Sequence, residues 1–280
     1  MPTPIDTLRR ALPGLPPRLR EAGDFLARHD FDATTRSMRD LALAAGTHPA
    51  TFTRLAQALG YSGWDALREA LIEARRPGPY SRRAVAAGPQ PLPAAMLAAD
   101  AESLARIAPA PIAAAARALH AAPRVWVAGY RSCRGVAQIL HYELRLFRPD
   151  AVRLVGGASP EDLDLGAFQP GDALVLISFA PYSRAIARTA RAARQAGCTT
   201  IALLDSPAAP VAAGAAHLLL FDAAAGPGFF PSLTGALATA QALAAASFIE
   251  GGEPALTRLR QAESRLAALS EYVPEQDDLP

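Results

Sequence analysis

The sequence feature that most constrains the fold is an alternation of short apolar runs with helical stretches between residues 124 and 221. Each run is five or six residues long and rich in Val, Ile and Leu, which is typical of strands buried on both faces. The five strand candidates are Arg124–Ala128, Ala151–Val155, Ala173–Ser178, Thr200–Leu204 and His217–Phe221. Strands that are joined through helices run parallel. The pattern therefore predicts an α/β fold with a doubly wound, mostly parallel five-stranded sheet.

Helices are predicted between most of these strands and on both sides of the sheet region. Those within it are Ser132–Phe147, Ser183–Ala196 and a short one near Ala208–Ala213. Two long helices follow, Ser232–Glu250 and Pro254–Leu269, and two Ala-rich helices precede, at about 93–107 and 110–121.

The first 75 residues have a different pattern, with helical periodicity and no strand candidate. The four predicted helices are Pro17–His29, Ser37–Ala45, Pro49–Leu59 and Ser62–Glu73. Residues 76–93 are rich in Pro, Gly and Arg, a composition that builds no core. We therefore predict a helical domain at 1–77, a linker at 78–92 and an α/β domain at 93–280.

Charge and cysteine content narrow the functional class. Residues 1–85 contain 13 arginines and 9 acidic residues, whereas the rest of the chain contains 15 and 17. A basic first domain suits an acidic partner such as nucleic acid, although many helical surfaces carry a similar excess.

Cys133 and Cys198 form neither a metal-binding spacing nor a disulfide framework. We expect a cytoplasmic protein without a metal, a cofactor, a secretion signal or a membrane span.

Residues 37–64 have the pattern of two short helices joined by a tight turn. Ser37 suits an N-cap, Gly46 a C-cap and Pro49 a first helical position. The residues expected to pack the two helices together are Leu41, Ala44, Phe52, Leu55 and Leu59. The residues left to meet DNA are Ser37, His48, Ala50, Thr51, Thr53, Arg54 and Gln57. The alternative is an ordinary helical hairpin with a polar face.

This run resembles the N-terminal domain of the RpiR/MurR family of bacterial regulators. The resemblance rests on Leu43-Ala44-Ala45-Gly46, Pro49-Ala50-Thr51-Phe52-Thr53-Arg54 and Leu59-Gly60-Tyr61-Ser62-Gly63-Trp64. It covers about 75 residues and implies a helix-turn-helix that binds double-stranded operator DNA. One departure is His48, because the family usually has a Ser N-cap there and His is a poorer cap.

Two strand-to-helix junctions in the α/β region carry polar groups. They are residues 127–132 and 176–183, and each follows a strand and opens a helix. Ligands of open α/β sheets bind at the carboxyl ends of the strands, where helix N-termini favour anions. Ser132, Ser178 and Ser183 add hydroxyl groups, and Arg131 adds positive charge. The alternative is that Ser132 and Ser183 are only N-caps.

The arrangement resembles the sugar isomerase (SIS) domain, the sensor half of the same family, over about residues 110–250. The resemblance implies that Ser132 in the first loop, with Ser178 and Ser183 at the ends of the second, binds the phosphate of a phosphosugar. Ala180-Pro181-Tyr182 departs from the family's Ser-Gly-x, and Arg131 replaces a small residue. A smaller phosphate ester or a carboxylate also fits these departures.

Further residues lie at the carboxyl ends of the predicted strands or after them, and some of them have two interpretations. Tyr182 and Asp205 are further ligand candidates, and Asp205 is expected to bind a ligand hydroxyl or to cap the next helix. Phe229 and Phe230 are expected either to close the cleft or to lie in the core.

The leading hypothesis is a transcriptional regulator that a small anionic effector controls, a phosphosugar or a related compound. The alternative is a phosphosugar isomerase with an accessory helical domain. His141 and Glu143 lie about two turns into a helix, too far from the first loop for catalysis, so we expect no enzymatic activity. The apolar helices at 93–121 and 232–250 exceed what one small sheet needs, which predicts a homodimer or homotetramer.

Overall fold

The computed structural model describes residues 3–74, 91–223 and 226–271. Nearly all of the predicted linker at 78–92 lies outside these residues, so the proposed domain division stays a prediction. Two regions of the chain are described below. The first is wholly helical, and the second contains the sheet.

Residues 3–74, the described part of the N-terminal region, form a bundle of six α-helices. They are α1 (Pro4–Ala11), α2 (Pro17–Arg28), α3 (Asp30–Thr35), α4 (Met38–Ala44), α5 (Pro49–Ala58) and α6 (Trp64–Ala74). The sequence pattern predicted α2, α4, α5 and α6 but not α1 or α3, which have only eight and six residues. Helix α4 is also short, with seven residues, but Ser37 and Gly46 mark its two ends in the sequence. Their shared core is built mainly from Leu8, Leu26, Leu41, Phe52, Leu55 and Leu67.

The second region begins with α7 (Leu92–Ala105) and α8 (Pro109–Ala121), which lead into the sheet. The strands are β1 (Val125–Gly129), β2 (Val152–Leu154), β3 (Ala173–Ser178), β4 (Thr199–Leu204) and β5 (His217–Leu220). The helices that follow them are α9 (Cys133–Phe147), α10 (Glu161–Gly166), α11 (Arg184–Gln195) and α12 (Thr234–Ala268). All four strand pairs are parallel, and the spatial order is β2-β1-β3-β4-β5.

The sheet has a separate hydrophobic core on each face. Val125 and Val127 of β1 point into one core, which α8, α9 and α12 cover. Trp126 and Ala128 point into the other, which α11 covers. Successive side chains of a strand face opposite sides, so a strand with two buried faces must be apolar throughout. The predicted doubly wound α/β fold is confirmed.

One helix prediction was wrong. Residues 207–214 form turns rather than a helix, because Pro210 lies within the segment and a proline there removes a hydrogen bond and clashes with the preceding turn. The two predicted C-terminal helices are confirmed, because α12 consists of two helices that meet at Gly252, a non-helical residue with a φ of +54°. Gly252 lies between Glu250, the predicted end of the first helix, and Pro254, the predicted start of the second.

A buried carboxylate ties the sheet together at its amino edge. Asp172 is fully buried just before β3. Its side chain accepts hydrogen bonds from Arg124 Nε at 3.2 Å, Trp126 Nε1 at 3.0 Å and the Gln169 backbone N–H at 3.0 Å. A buried charge is tolerated when donors surround it in this way. Asp172 therefore fixes β1 against β3 at the edge opposite to the loops that follow these strands.

We expect Asp172→Ala to lower the free energy of unfolding by about 3 kcal/mol or more, because it leaves a buried indole N–H and a guanidinium without their acceptor. The matched control is Asp162→Ala, which removes an exposed carboxylate from α10 and should change stability by less than about 0.5 kcal/mol. Urea unfolding of both variants measures the difference. Equal stabilities would show that the Asp172 network contributes nothing.

Candidate functional site

The strand order creates a crevice at the carboxyl ends of β1 and β3. The chain leaves β1 toward β2 on one side, whereas β3 and the later strands extend the sheet on the other side. The two connections that leave from this point diverge, and ligands of doubly wound sheets bind in the gap between them. The loop 130–132 and the loop 179–183, which the sequence had indicated, flank this gap.

Two helices point their N-termini at this edge of the sheet. Helix α9 follows the first loop and α11 follows the second, and neither has an acidic residue in its first turn. The partial positive charge of each N-terminus is therefore not neutralised from within its own first turn. The exposed Arg184 at the start of α11 adds a full positive charge. This arrangement is suited to an anion.

The first loop turns sharply from β1 into α9. A Cβ on Gly129 would meet the Cys133 carbonyl oxygen and would approach Ala137 Cβ to 2.9 Å, so only glycine fits there. Arg131 has a φ of +55°, a left-handed conformation unusual for a residue with a side chain. Its side chain is exposed. An arginine in a conformation that favours glycine is consistent with a functional role for its guanidinium.

Ser132 does not serve as the predicted side-chain N-cap. Its backbone is already helical, with φ −62° and ψ −33°, and its hydroxyl accepts no capping hydrogen bond. The interpretation of Ser132 as only a cap was therefore wrong. Helix α9 instead starts within a tight turn, in which Cys133 N–H donates to the Tyr130 carbonyl at 3.1 Å.

The second loop begins at the buried Ser178 and ends at Ser183. Ser183 caps α11, because its hydroxyl accepts a hydrogen bond from Ile186 N–H at 3.2 Å. The cap interpretation of this serine is thus correct. It does not exclude ligand binding, since a hydroxyl that accepts one hydrogen bond still has a proton to donate.

Asp205 holds the second loop. One carboxylate oxygen accepts a hydrogen bond from Ala180 N–H at 3.1 Å, and the other accepts one from the Tyr182 hydroxyl at 2.7 Å. The expectation that Asp205 caps a following helix was wrong, because no helix follows β4 directly. The structure brings Asp205 and Tyr182 together and gives both a role in the shape of the loop.

Hydrogen bonds also fix the loop after β2 at the same edge of the sheet, which the sequence pattern had not indicated. Arg134 of α9 donates to the carbonyls of Val155 and Gly156, both at 2.6 Å. Asp164 of α10 accepts a hydrogen bond from Gly156 N–H at 2.6 Å and one from the Ser159 hydroxyl at 2.5 Å. The available signal was the Gly156-Gly157 pair directly after an apolar run, which is typical of a tight loop.

The two phenylalanines beyond β5 have different environments. Phe230 packs edge-to-face on Phe179 of the second loop, with ring centroids 6.0 Å apart. Phe229 is exposed over 61% of its surface. The core interpretation therefore fits Phe230, and Phe229 lies at the surface.

His141 and Glu143, the residues considered above for isomerase chemistry, do not lie at the crevice. His141 lies in a groove between α9 and α12, and Glu143 accepts a hydrogen bond from Gln241 of α12 at 3.0 Å. Burial raises the pKa of the Cys133 thiol to about 12, so this cysteine is not a thiolate nucleophile at neutral pH. Within residues 3–74, 91–223 and 226–271, no cluster of three His, Cys, Asp or Glu side chains could hold a metal.

In the N-terminal region, α4 and α5 are joined by a four-residue turn with a cap at each helix start. Ser37 accepts a hydrogen bond from Asp40 N–H at 3.2 Å, and Gly46 has a φ of +62°. His48 Nδ1 accepts a hydrogen bond from Ala50 N–H at 3.2 Å. His48 therefore does cap α5, although the family pattern has Ser there.

Helix α5 presents a small, mostly polar face to solvent. Ala50, Arg54 and Gln57 are exposed, and Thr51 and Thr53 are half-buried. Thr51 accepts a hydrogen bond from the Thr47 hydroxyl at 3.1 Å. Of the residues predicted to pack α4 on α5, Leu41, Phe52 and Leu55 are buried and Leu59 is half-buried. Ala44 is exposed, and Ala42 lies in the core instead.

Comparison with known proteins finds similarities for the sheet region. A model of the SIS domain matches residues 118–246, which include all five strands. The chain is similar to the sugar isomerase domain of an RpiR transcription factor from Sphaerobacter thermophilus, with 27% identity over 62% of this chain and 99% of that one and a TM-score of 0.57.

A second similarity spans both regions. The Vibrio vulnificus NanR protein, solved in complex with ManNAc-6P, is 19% identical over 95% of this chain and 99% of that one, with a TM-score of 0.55. At that identity the likeness shows the fold alone. A search among curated proteins finds no match. No helix in the described part of the chain has both the length and the apolar character to span a membrane.

Two glycines close to each other in sequence test the geometry of the first loop. Gly129→Ala should destabilise the protein by roughly 1–3 kcal/mol, because the added methyl meets a backbone carbonyl that cannot move aside. Gly135 of α9 has no atom within 4 Å of a built Cβ, so Gly135→Ala should stabilise by up to about 1 kcal/mol. Thermal or urea unfolding of both variants shows whether each substitution raises or lowers the stability. A neutral Gly129→Ala would contradict the described turn.

Proposed function

We propose that the protein is a DNA-binding transcriptional regulator controlled by a small anionic metabolite, a phosphosugar or a related compound. The observation that carries this proposal is the crevice at β1 and β3, where the N-termini of α9 and α11 meet hydroxyl groups and an exposed arginine. The same chain carries α4 and α5, two capped helices with an exposed polar face.

The similarity to the RpiR transcription factor supports the regulatory part of the proposal. That protein's matching part is its sugar isomerase domain. The architecture shared with NanR, over nearly the whole chain, supports a helical domain followed by a SIS domain. We accordingly assign 1–77 to DNA binding, 78–92 to the linker and 93–280 to effector sensing.

In the DNA-binding part, α5 is the proposed recognition helix. The exposed Arg54 and Gln57 are suited to base edges or phosphates. Ser37 and His48 lie at the starts of the two helices, where phosphates are favoured. The remaining proposed contacts are Ala50, Thr51 and Thr53, which lie on the first two turns of α5.

In the sensing part, the effector's anionic group is proposed to bind Arg131, Ser132, Ser178 and Ser183. Asp205 and Tyr182 hold the loop that carries two of these groups. Ala180 N–H is already bonded to Asp205, and Pro181 has no N–H. The middle of this loop therefore supplies fewer backbone donors than the resemblance implies.

We propose that the crevice binds its ligand without catalysis. A phosphosugar isomerase needs a base and an acid beside the sugar carbons. His141 and Glu143 face α12 instead. The isomerase alternative has no specific observation in its favour within the described residues.

The regulator is proposed to be a homodimer or homotetramer. Leu97 of α7 and Ile249 of α12 are exposed over more than 70% of their surfaces, and such apolar helix faces suit contact with another subunit. Two half-sites on DNA also require two copies.

Arg54→Ala tests the DNA-binding face. If Arg54 contacts a phosphate, the variant should weaken binding to all duplexes alike and lower the salt slope by about one. If it contacts a guanine, the loss should be about 1–3 kcal/mol at one base position. The matched control is Arg191→Ala, which removes an exposed arginine from α11. If Arg54→Ala leaves the affinity for DNA unchanged while Arg191→Ala lowers it, then DNA does not bind at α5 and the proposed recognition helix is wrong.

Ser183 variants test the anion site and separate binding from capping. Ser183→Asp keeps an N-cap but adds a negative charge, so anion binding should fall by at least about tenfold, or 1.4 kcal/mol, at unchanged stability. Ser183→Ala should weaken anion binding by roughly 10- to 100-fold and cost about 0.5–2 kcal/mol of stability. Thermal shifts with ManNAc-6P, other phosphosugars and sugar acids provide the readout.

The outcome that contradicts this site is a ligand that shifts the melting temperature of Ser183→Asp as much as that of the wild type. Neither variant should change DNA affinity in the absence of ligand. If a ligand releases DNA from the wild type but not from Ser183→Asp, which no longer binds that ligand, then the anion site controls DNA binding.

A further inference from the structure

A groove outside the anion site runs between the second half of α9 and the end of α12. Its cavity volume is about 330 Å³. The α9 side and the following turn contribute His141, Tyr142, Arg145, Leu146 and Pro149. The α12 side contributes Ala262, Arg265, Leu266 and Leu269. The proposed function leaves this surface without a role.

The groove combines apolar contact area with positive charge. Tyr142 and Leu269 are exposed over 55% and 72% of their surfaces. No carboxylate is among the described residues that line the groove, and within those ranges Arg145 and Arg265 form no ion pair. Two guanidinium groups thus flank an apolar strip.

The pKa of His141 is lowered, first by burial and then by the charges of Arg145, Arg134 and Arg153. Charges that make protonation of a histidine unfavourable create a positive potential at the groove, which attracts carboxylates. A segment that combines carboxylates with apolar side chains therefore has the complementary chemistry.

The chain changes direction where α12 ends. Ser270 adopts a φ of +51°, and Glu271 N–H donates to the Leu266 carbonyl at 3.1 Å. This left-handed turn closes the helix and leads the chain away from the helix axis. Leu266, whose carbonyl accepts that hydrogen bond, also lines the groove.

Residues 272–280, with the sequence YVPEQDDLP, lie outside the described residues. Three of them are acidic (Glu275, Asp277 and Asp278), none is basic, and Tyr272 and Leu279 supply apolar side chains. Nine residues span up to about 30 Å when extended, which exceeds the length of the groove, about two turns of each lining helix.

We propose that residues 272–280 bind in the groove between α9 and α12, with their carboxylates on Arg145 and Arg265 and their apolar side chains on the strip between them. The inference does not depend on the proposed function. It makes the end of the chain a strap across α9, the helix whose other end opens the anion site.

The test uses the full chain with the strap's charges neutralised by Glu275→Gln, Asp277→Asn and Asp278→Asn. This variant should leave the groove accessible. A fluorescein-labelled peptide of sequence YVPEQDDLP is then titrated against it by fluorescence anisotropy at an ionic strength of about 0.15 M, where the Debye length is about 8 Å. A tethered segment has an effective concentration on the order of millimolar, so the peptide should bind the wild type at least about tenfold more weakly than the neutralised chain.

The groove is identified by charge reversal on the neutralised chain. Arg145→Glu with Arg265→Glu should abolish peptide binding. The control, Arg117→Glu with Arg191→Glu, makes the same change in net charge at exposed positions of α8 and α11 and should leave binding within about twofold, because surface charges farther than a Debye length are screened. Melting temperatures of both pairs check folding.

Three outcomes would overturn the proposal. In the first, the peptide binds none of the chains. In the second, it binds the wild type and the neutralised chain with equal affinity. In the third, the two charge-reversal pairs lower the affinity for the peptide to the same extent. A fourth outcome would also contradict a strap. If Arg145→Glu with Arg265→Glu changes the oligomeric mass but not the affinity for the peptide, the groove is a contact with a second copy of the chain.

Discussion

The structure depends on one topological constraint: β1 lies between β2 and β3, and all strands are parallel. Parallel strands require helical crossovers, and these begin at the carboxyl edge. At β1 and β3 the crossovers diverge, so the N-termini of α9 and α11 flank the space between the two connections. The partial positive charges at this gap, with Arg131 beside them, make an anion the ligand that the fold favours.

Hydrogen bonds at the carboxyl edge of the sheet fix the shape of the loops that surround the proposed anion site. Asp205 accepts hydrogen bonds from Ala180 N–H and the Tyr182 hydroxyl, and it thereby fixes the loop that leads to Ser183. Arg134 similarly fixes the loop after β2 through two backbone carbonyls. The site is therefore held in shape before a ligand arrives, which lowers the entropy cost of binding. The negative charge of Asp205 beside the anion site should also affect which anion is accepted.

Much of the fold could be predicted from the sequence, because the buried parallel strands are apolar on both faces and the helix caps have recognisable residues. All five strands were predicted within one residue at each end. The role of Asp205 could not be predicted, since its partners lie 25 and 23 residues away in the chain. Ala44 was wrongly assigned to the packing between α4 and α5, because a helix of only seven residues has too few turns to define its buried face. Ser132 was expected to cap α9, but the position of a tight turn depends on tertiary contacts at Gly129.

We propose that one chain joins sequence-specific DNA binding to anion sensing. The most direct test is selection of duplexes by the full chain from a random-sequence pool at physiological salt, with and without the anion that most raises its melting temperature. We expect enrichment of one motif with two half-sites about 10 base pairs or a multiple apart, centre to centre, and a change in its recovery when the anion is present. Recovery of unselected sequences, or of one motif that no bound anion affects, would contradict it.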